Sequence, residues 1–304
     1  MRPRETQYRA IRPPPAAECG APRRAVVLVG HGSLRPGAGA AMVRLAERAR
    51  AAGVAPIVKA GFLNYSRPTF AEVLAQCLAE GAAEVVVQPY FLIPGKFVRQ
   101  DLARLLEEAR ASHPGLALRL APPFGDHPAL ARLLLKRAHA AADMVTPSLI
   151  AARRATRPLG DRDGSPDICP CTGLLIMAHG SPDPRSNAPI YQIARRVRAS
   201  NHYTAVTVCF LDLNRPGIPE AIDTLAGYGI RRLIAAPFFL QLGNHVREDL
   251  PAIVDAAHAR HPTLQISLAE HLAYDPLLVA VIADRVAEAQ LQIIDSPRGH
   301  PIAD

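Results

Sequence analysis

The chain has no tryptophan, and aromatic residues of all kinds make up only 5% of its 304 positions. It offers little on which exposed bases could stack, and no recognisable nucleic-acid-binding motif makes up the difference. A nucleic-acid partner is therefore not expected. No stretch approaches the roughly 18 uncharged apolar residues that cross a bilayer, so no membrane span is expected either. The five cysteines (Cys19, Cys77, Cys169, Cys171 and Cys209) are odd in number, follow no disulfide framework, and have no apolar signal segment ahead of the first strand. A reducing cytoplasm is the expected setting. No G-x-x-x-x-G-K-[ST] run occurs, and Gly37-Ala38-Gly39 lacks the remainder of a dinucleotide fingerprint. No nucleotide site is read here.

What is present is ordinary globular material: 49% hydrophobic and 20% charged residues, usage that excludes a wholly disordered or fibrous chain. The length suits two units of about 150 residues, each able to bury a core. The formal charge of +8 is spread along the chain as arginine, with part of it in the N-terminal tail at Arg2, Arg4, Arg9, Arg12, Arg23 and Arg24. Such a balance favours an acidic partner, whether nucleic acid, an anionic membrane surface or a polycarboxylate ligand, and does not choose among them.

Residues 1–24 hold a Pro-Pro-Pro run and scattered arginines without hydrophobic period, as a solvated basic extension does. From Ala25 apolar runs alternate with helical patterns. Strands are expected at 25–29, 54–60, 84–89 and 116–121, and helices at 37–52, 68–80, 96–111 and 128–141. Wholly apolar strands alternating with amphipathic helices indicate a parallel sheet covered on both faces. Residues 145–172, rich in Pro, Arg, Asp and Ser, read as a linker, after which the same order of elements returns over 173–292, leaving 293–304 as a tail. The expected fold is α/β, two tandem doubly wound parallel-sheet domains of flavodoxin-related architecture, 25–144 and 173–292.

The second half repeats the first without a gap at an offset of 148 residues. His31 falls on His179, Pro68 on Pro216, and His113-Pro114 on His261-Pro262. Longer runs agree: GHGSLRP at 30–36 with AHGSPDP at 178–184, FLNYSRP at 62–68 with FLDLNRP at 210–216, and PYFLIPGKFVRQDL at 89–102 with PFFLQLGNHVREDL at 237–250. Each run begins at the carboxyl end of an expected strand, where an open doubly wound sheet binds its ligands.

The copies differ where chemistry would be done. His245 stands where the first copy has Phe97, and Asp212 where it has Asn64. His179, Asp212 and His245 follow three different strands of one domain, so the fold can bring them to one rim. Two neutral imidazoles with a carboxylate can hold a transition metal and leave coordination positions open. Asn64 has no titratable carboxyl and Phe97 no ligand atom, so the first copy cannot do the same. The structural alternative is that His245 caps a helix and Asp212 makes a turn hydrogen bond.

With these motifs the chain resembles the sirohydrochlorin and cobalt chelatases of sirohaem and cobalamin synthesis, the ATP-independent class II tetrapyrrole chelatases with a duplicated chelatase fold. The resemblance rests on HGS after the first strand, on FLD at 210–212, and on GNHVREDLP at 243–251, and it runs from Ala25 to the final helix. It implies insertion of Co2+ or Fe2+ into sirohydrochlorin or a related tetrapyrrole, with the metal as substrate and no ATP. It implies that His179 and His245 bind the metal, with Asp212 in the place of an acid that is usually a glutamate, one methylene longer. Metal insertion must also remove two pyrrole protons, which a base beside a loosely held metal provides. Ser181, Arg185, Arg215, Arg247 and His31 are candidate contacts to a polycarboxylate substrate, the arginines as its charge partners. The first copy is expected to be non-catalytic.

Other signals are set aside. Cys169-Pro170-Cys171 lacks C-x-x-C spacing, and Cys77 and Cys209 read as core residues. A non-catalytic protein that binds metal or tetrapyrrole at the same residues stays open as an alternative. A histidine phosphotransferase is disfavoured, because Gly30 and Ala178 precede the histidines where arginine would stand. Nitrogen and oxygen ligands do not choose between Co2+, Fe2+ and Ni2+, and both a monomer and a homodimer fit.

Overall fold

A computed structural model describes residues 23–144 and 171–291, apart from Pro36 and Ala38. The N-terminal extension, nearly all of the linker with Cys169, and the C-terminal tail lie outside the described residues.

Two four-stranded parallel sheets carry the fold. The first contains β1 (Arg23–Gly30), β2 (Ile57–Phe62), β3 (Ala82–Pro89) and β4 (Ala117–Leu120) in the order β2-β1-β3-β4. The second contains β5 (Thr172–Ala178), β6 (Ala205–Phe210), β7 (Arg232–Pro237) and β8 (Gln265–Leu268) in the matching order β6-β5-β7-β8. Helices α1 (Ala40–Ala51), α2 (Phe70–Ala79), α3 (Ala103–Ser112) and α4 (Pro128–Met144) belong to the first copy. Their counterparts are α5 (Ala188–Arg198), α6 (Ile218–Gly227), α7 (Leu250–Arg260) and α8 (Leu277–Leu291).

The strands are continuous apolar runs because both faces are covered. Along β1, Ala25, Val27 and Val29 point to one side, where they meet Val73, Leu74 and Cys77 of α2 and Leu106 of α3. Val26 and Leu28 point to the other, the period of two that a strand imposes. The second copy repeats this pattern with Leu175 and Met177 toward α6 and α7.

The inner faces of both sheets share one core. Leu28, Leu45, Leu130 and Leu133 of the first copy pack in the same cluster as Ile176, Ile193, Leu278 and Ile282 of the second. The last helix of each copy crosses to the other: α4 contacts β7 and β8, and α8 contacts β3 and β4. Polar contacts follow the same exchange. Arg137 on α4 donates to the Leu272 carbonyl, and Arg285 on α8, 148 residues later, donates to the Phe124 carbonyl.

Several expected boundaries shift. Helix α1 starts at Ala40 instead of Gly37, because Gly37 takes a left-handed φ of 78° in the loop ahead of it. Strand β2 starts at Ile57, three residues after the expected Val54. The helix expected from Lys96 opens as a π-turn, Phe97–Leu102, before α3, and the second copy repeats it at His245–Asp249. Strands β1 and β5 begin inside the segments read as extension and linker, at Arg23 and Thr172. Helix α4 runs on to Met144.

Candidate metal centre

In each sheet the strand order reverses between the first and third strands in sequence, and the loops leaving their carboxyl ends open a crevice. In the second copy β5 delivers His179 to that point, β6 delivers Asp212 beside it, and β7 leads to His245 at the first residue of its π-turn. One ligand atom from each of the three lies within 4.8 Å of the other two. The imidazoles of His179 and His245 stand edge to face, centroids 5.0 Å apart. His179 and Asp212 are exposed and His245 half-buried, so the group opens to solvent.

The backbone enforces this convergence. The N–H of Leu211 donates to the Ala178 carbonyl at 2.8 Å and that of Asp212 to the His179 carbonyl at 3.2 Å, so the pairing of β5 with β6 continues past the strand ends. Gly180 has φ +95°, and a Cβ there would lie 2.6 Å from Asn214 Oδ1 and 3.0 Å from the Asp212 carbonyl. Only glycine allows the two loops to approach this closely. Asn214 Oδ1 in turn accepts the Ser181 N–H at 2.7 Å and the Asn187 side-chain amide at 2.9 Å. Ser181 is buried in this clamp.

His245 has a partner that the sequence reading left unassigned. Its Nδ1 lies 2.7 Å from Asp249 Oδ2, four residues further along the π-turn. An ionised carboxylate accepts the Nδ1–H, which fixes the tautomer and leaves Nε2 as the ligand atom, the arrangement usual behind metal-binding histidines. The signal was the i, i+4 spacing inside the run GNHVREDLP.

The first copy has the same scaffold with other contents. His31 occupies the place of His179, but Phe97 packs edge-on against it at 4.2 Å and Tyr65 lies 5.6 Å away. Asn64 donates its N–H to the His31 carbonyl, as Asp212 does to His179. The geometry and the His31 imidazole persist, while the carboxylate of Asp212 and the second imidazole of His245 have no counterpart.

Two of the candidate arginines are engaged by neighbouring acids. Arg185 pairs with Asp183 and Arg215 with Glu220, both highly exposed; Arg247 is exposed on the π-turn. Two other ion pairs tie the rims of the copies together. Arg35 reaches Glu248 at 3.2 Å, and Arg99 reaches Asp183 at 2.9 Å while also bonding the Ser186 hydroxyl. The Arg99 bond, with help from Arg185, holds the Asp183 carboxyl below its ordinary range. The two strand-end faces therefore adjoin.

The chain is similar to known proteins. A sirohydrochlorin cobaltochelatase of Priestia megaterium is 23% identical over 87% of this chain and 79% of its own length. A sirohydrochlorin ferrochelatase of the same organism is 22% identical over 86% of this chain and 89% of its own length. The solved structure of SirB from Bacillus subtilis with Fe3+ superposes with a TM-score of 0.71, at 19% identity, covering 88% of this chain and 95% of that one, which shows the shared fold. The CbiX family model matches residues 25–141 and again residues 173–289, one match to each half of the duplication, and the chain belongs to the CbiX family.

Proposed function

We propose that the protein inserts a divalent metal, Co2+ or Fe2+, into sirohydrochlorin or a closely related tetrapyrrole, without ATP, at the strand-end site of the second copy. The observation that carries this reading is the convergence of His179, Asp212 and His245 at the crevice of one sheet, open to solvent. Metal–nitrogen bonds of about 2.1 Å place neighbouring ligand atoms roughly 3–3.5 Å apart. Small rotations bring the two imidazoles onto an ion with Asp212 beside it, and two protein ligands leave positions free for the macrocycle nitrogens.

His179 and His245 hold the incoming ion, the latter through Nε2. Asp212, beside them, accepts protons leaving the pyrrole nitrogens as metal bonds form. The first copy, 25–144, is non-catalytic, and 173–292 carries the reaction, in the cytoplasm. The relatives' names support the reaction class and include both metals, which is why the metal stays a pair. Among the described residues no helix is long and apolar enough to cross a membrane.

The test is an anaerobic assay of purified protein with sirohydrochlorin and each metal. Repeated turnover, seen as the shifted absorption of the metallated macrocycle, supports the reading. Binding that saturates at stoichiometry with no acceleration of insertion would assign the protein as a carrier instead.

A further inference from the structure

The two copies present homologous strand-end faces of opposite electrostatic character. Segments 30–36, 62–68 and 95–101 carry Arg35, Arg67, Lys96 and Arg99 against the single acid Asp101. The equivalent segments 178–184, 210–216 and 243–249 carry Arg215 and Arg247 against Asp183, Asp212, Glu248 and Asp249. The acidic face holds the metal ligands. The basic face keeps only the His31 imidazole of that set and carries aromatic and apolar surface around it: Tyr65 is 65% exposed, Phe97 39% and Leu34 81%. Tyr65 and Phe97 flank the His31 imidazole, and Lys96, next to Phe97, has no ion-pair or hydrogen-bond partner among the described residues. The Arg35–Glu248 and Arg99–Asp183 bridges join the faces.

Resting on the proposed function above, we infer that the first copy is the recognition wall for the macrocycle: Tyr65 and Phe97 contact the flat conjugated ring, and Lys96 pairs with its peripheral carboxylates. A cation ligand and a polyanionic ligand make opposite electrostatic demands. A duplicated fold meets both by keeping acids in one copy and removing them from the other. Aromatic faces suit a conjugated ring, and a lysine left unpaired at their edge suits a carboxylate. Loss of the first copy's metal ligands then marks a change of task.

The second copy supplies substitutions that the fold already tolerates. Leu213 is the counterpart of Tyr65 and adopts the same left-handed backbone, φ 49° against 58°, and Asn244 is the counterpart of Lys96. The experiment compares the full chain with the double variant Y65L/K96N. It measures binding of metal-free sirohydrochlorin by absorbance, Co2+ binding without tetrapyrrole, and the separate KM and kcat of insertion. The inference predicts unchanged Co2+ binding, near-normal kcat, and about tenfold weaker macrocycle binding with a matching rise in KM, as expected for the loss of roughly 1.4 kcal/mol. Equal macrocycle affinity and KM in the variant would overturn the inference and leave the chelatase reading intact. Failure of the unaltered chain to bind or metallate sirohydrochlorin would overturn both.

Discussion

Phe97 packs its ring edge-on against His31 at 4.2 Å, and 148 residues later His245 meets His179 in the same arrangement at 5.0 Å. A substitution on an inherited π-turn thus separates the apolar contact of Phe97 from the candidate ligand His245. The turn exists in both copies, so the scaffold does not depend on the metal.

That relationship can be run backwards. The double variant N64D/F97H restores both missing ligands beside His31, and Asp101 already stands where Asp249 supports His245. Titration with Co2+ should then show two equivalents bound per chain instead of one. A stoichiometry that stays at one would mean that further differences disable the first copy.

Asp249 should matter by degree. Asp249→Asn removes the charged acceptor from His245 Nδ1 at 2.7 Å while leaving the ligand nitrogen in place. Metal affinity should fall by about 10- to 100-fold, the usual effect of losing such support. An unchanged Co2+ affinity would remove Asp249 from the site.

Gly180→Ala should be far more damaging than a surface Gly→Ala change. The added Cβ would lie 2.6 Å from Asn214 Oδ1, at a φ that side chains rarely adopt. The clamp between the His179 and Asp212 loops must open, so metal binding should be lost with about 1–3 kcal/mol of stability. Isothermal titration and thermal melting would separate the two losses.

The exchanged helices carry a polar pair whose acid changes sides between copies. Lys136 on α4 bonds Asp275 at 2.6 Å, and at the equivalent positions Asp284 on α8 meets His127 at 2.9 Å. Asp275 is 2% exposed. Burial alone would raise its carboxyl, but the bonds from Lys136 and the Leu277 N–H hold it below the usual carboxylate range. A depressed folded pKa contributes stability that is present above the unfolded value near 3.8 and is lost as pH falls through the folded one. Lys136→Met should cost about 1–2 kcal/mol at neutral pH, moderated because the lysine is half-exposed. The cost should shrink in acid, and melting curves at pH 7 and pH 3 would show it.

Much of this was legible in the sequence because the duplication supplied its own comparison. Apolar strands gave the parallel sheets, and the offset of 148 isolated Asn64/Asp212 and Phe97/His245 as the informative differences. The crossing of α4 and α8 was not legible: Leu133 and Leu278 mark an apolar helix face without saying which sheet it covers. The π-turns were also hidden, since Lys96–Ala111 has a helical period throughout and a single wide turn leaves that period almost unchanged. Asp249 was overlooked for the same reason, since its role depends on how the turn aims His245.

The most direct test of the account is the rate of Co2+ insertion into sirohydrochlorin by His245→Ala compared with the unaltered chain, under anaerobic conditions and with folding checked by circular dichroism. The account predicts a folded variant with insertion reduced to the uncatalysed rate. Insertion at the rate of the unaltered chain would contradict it.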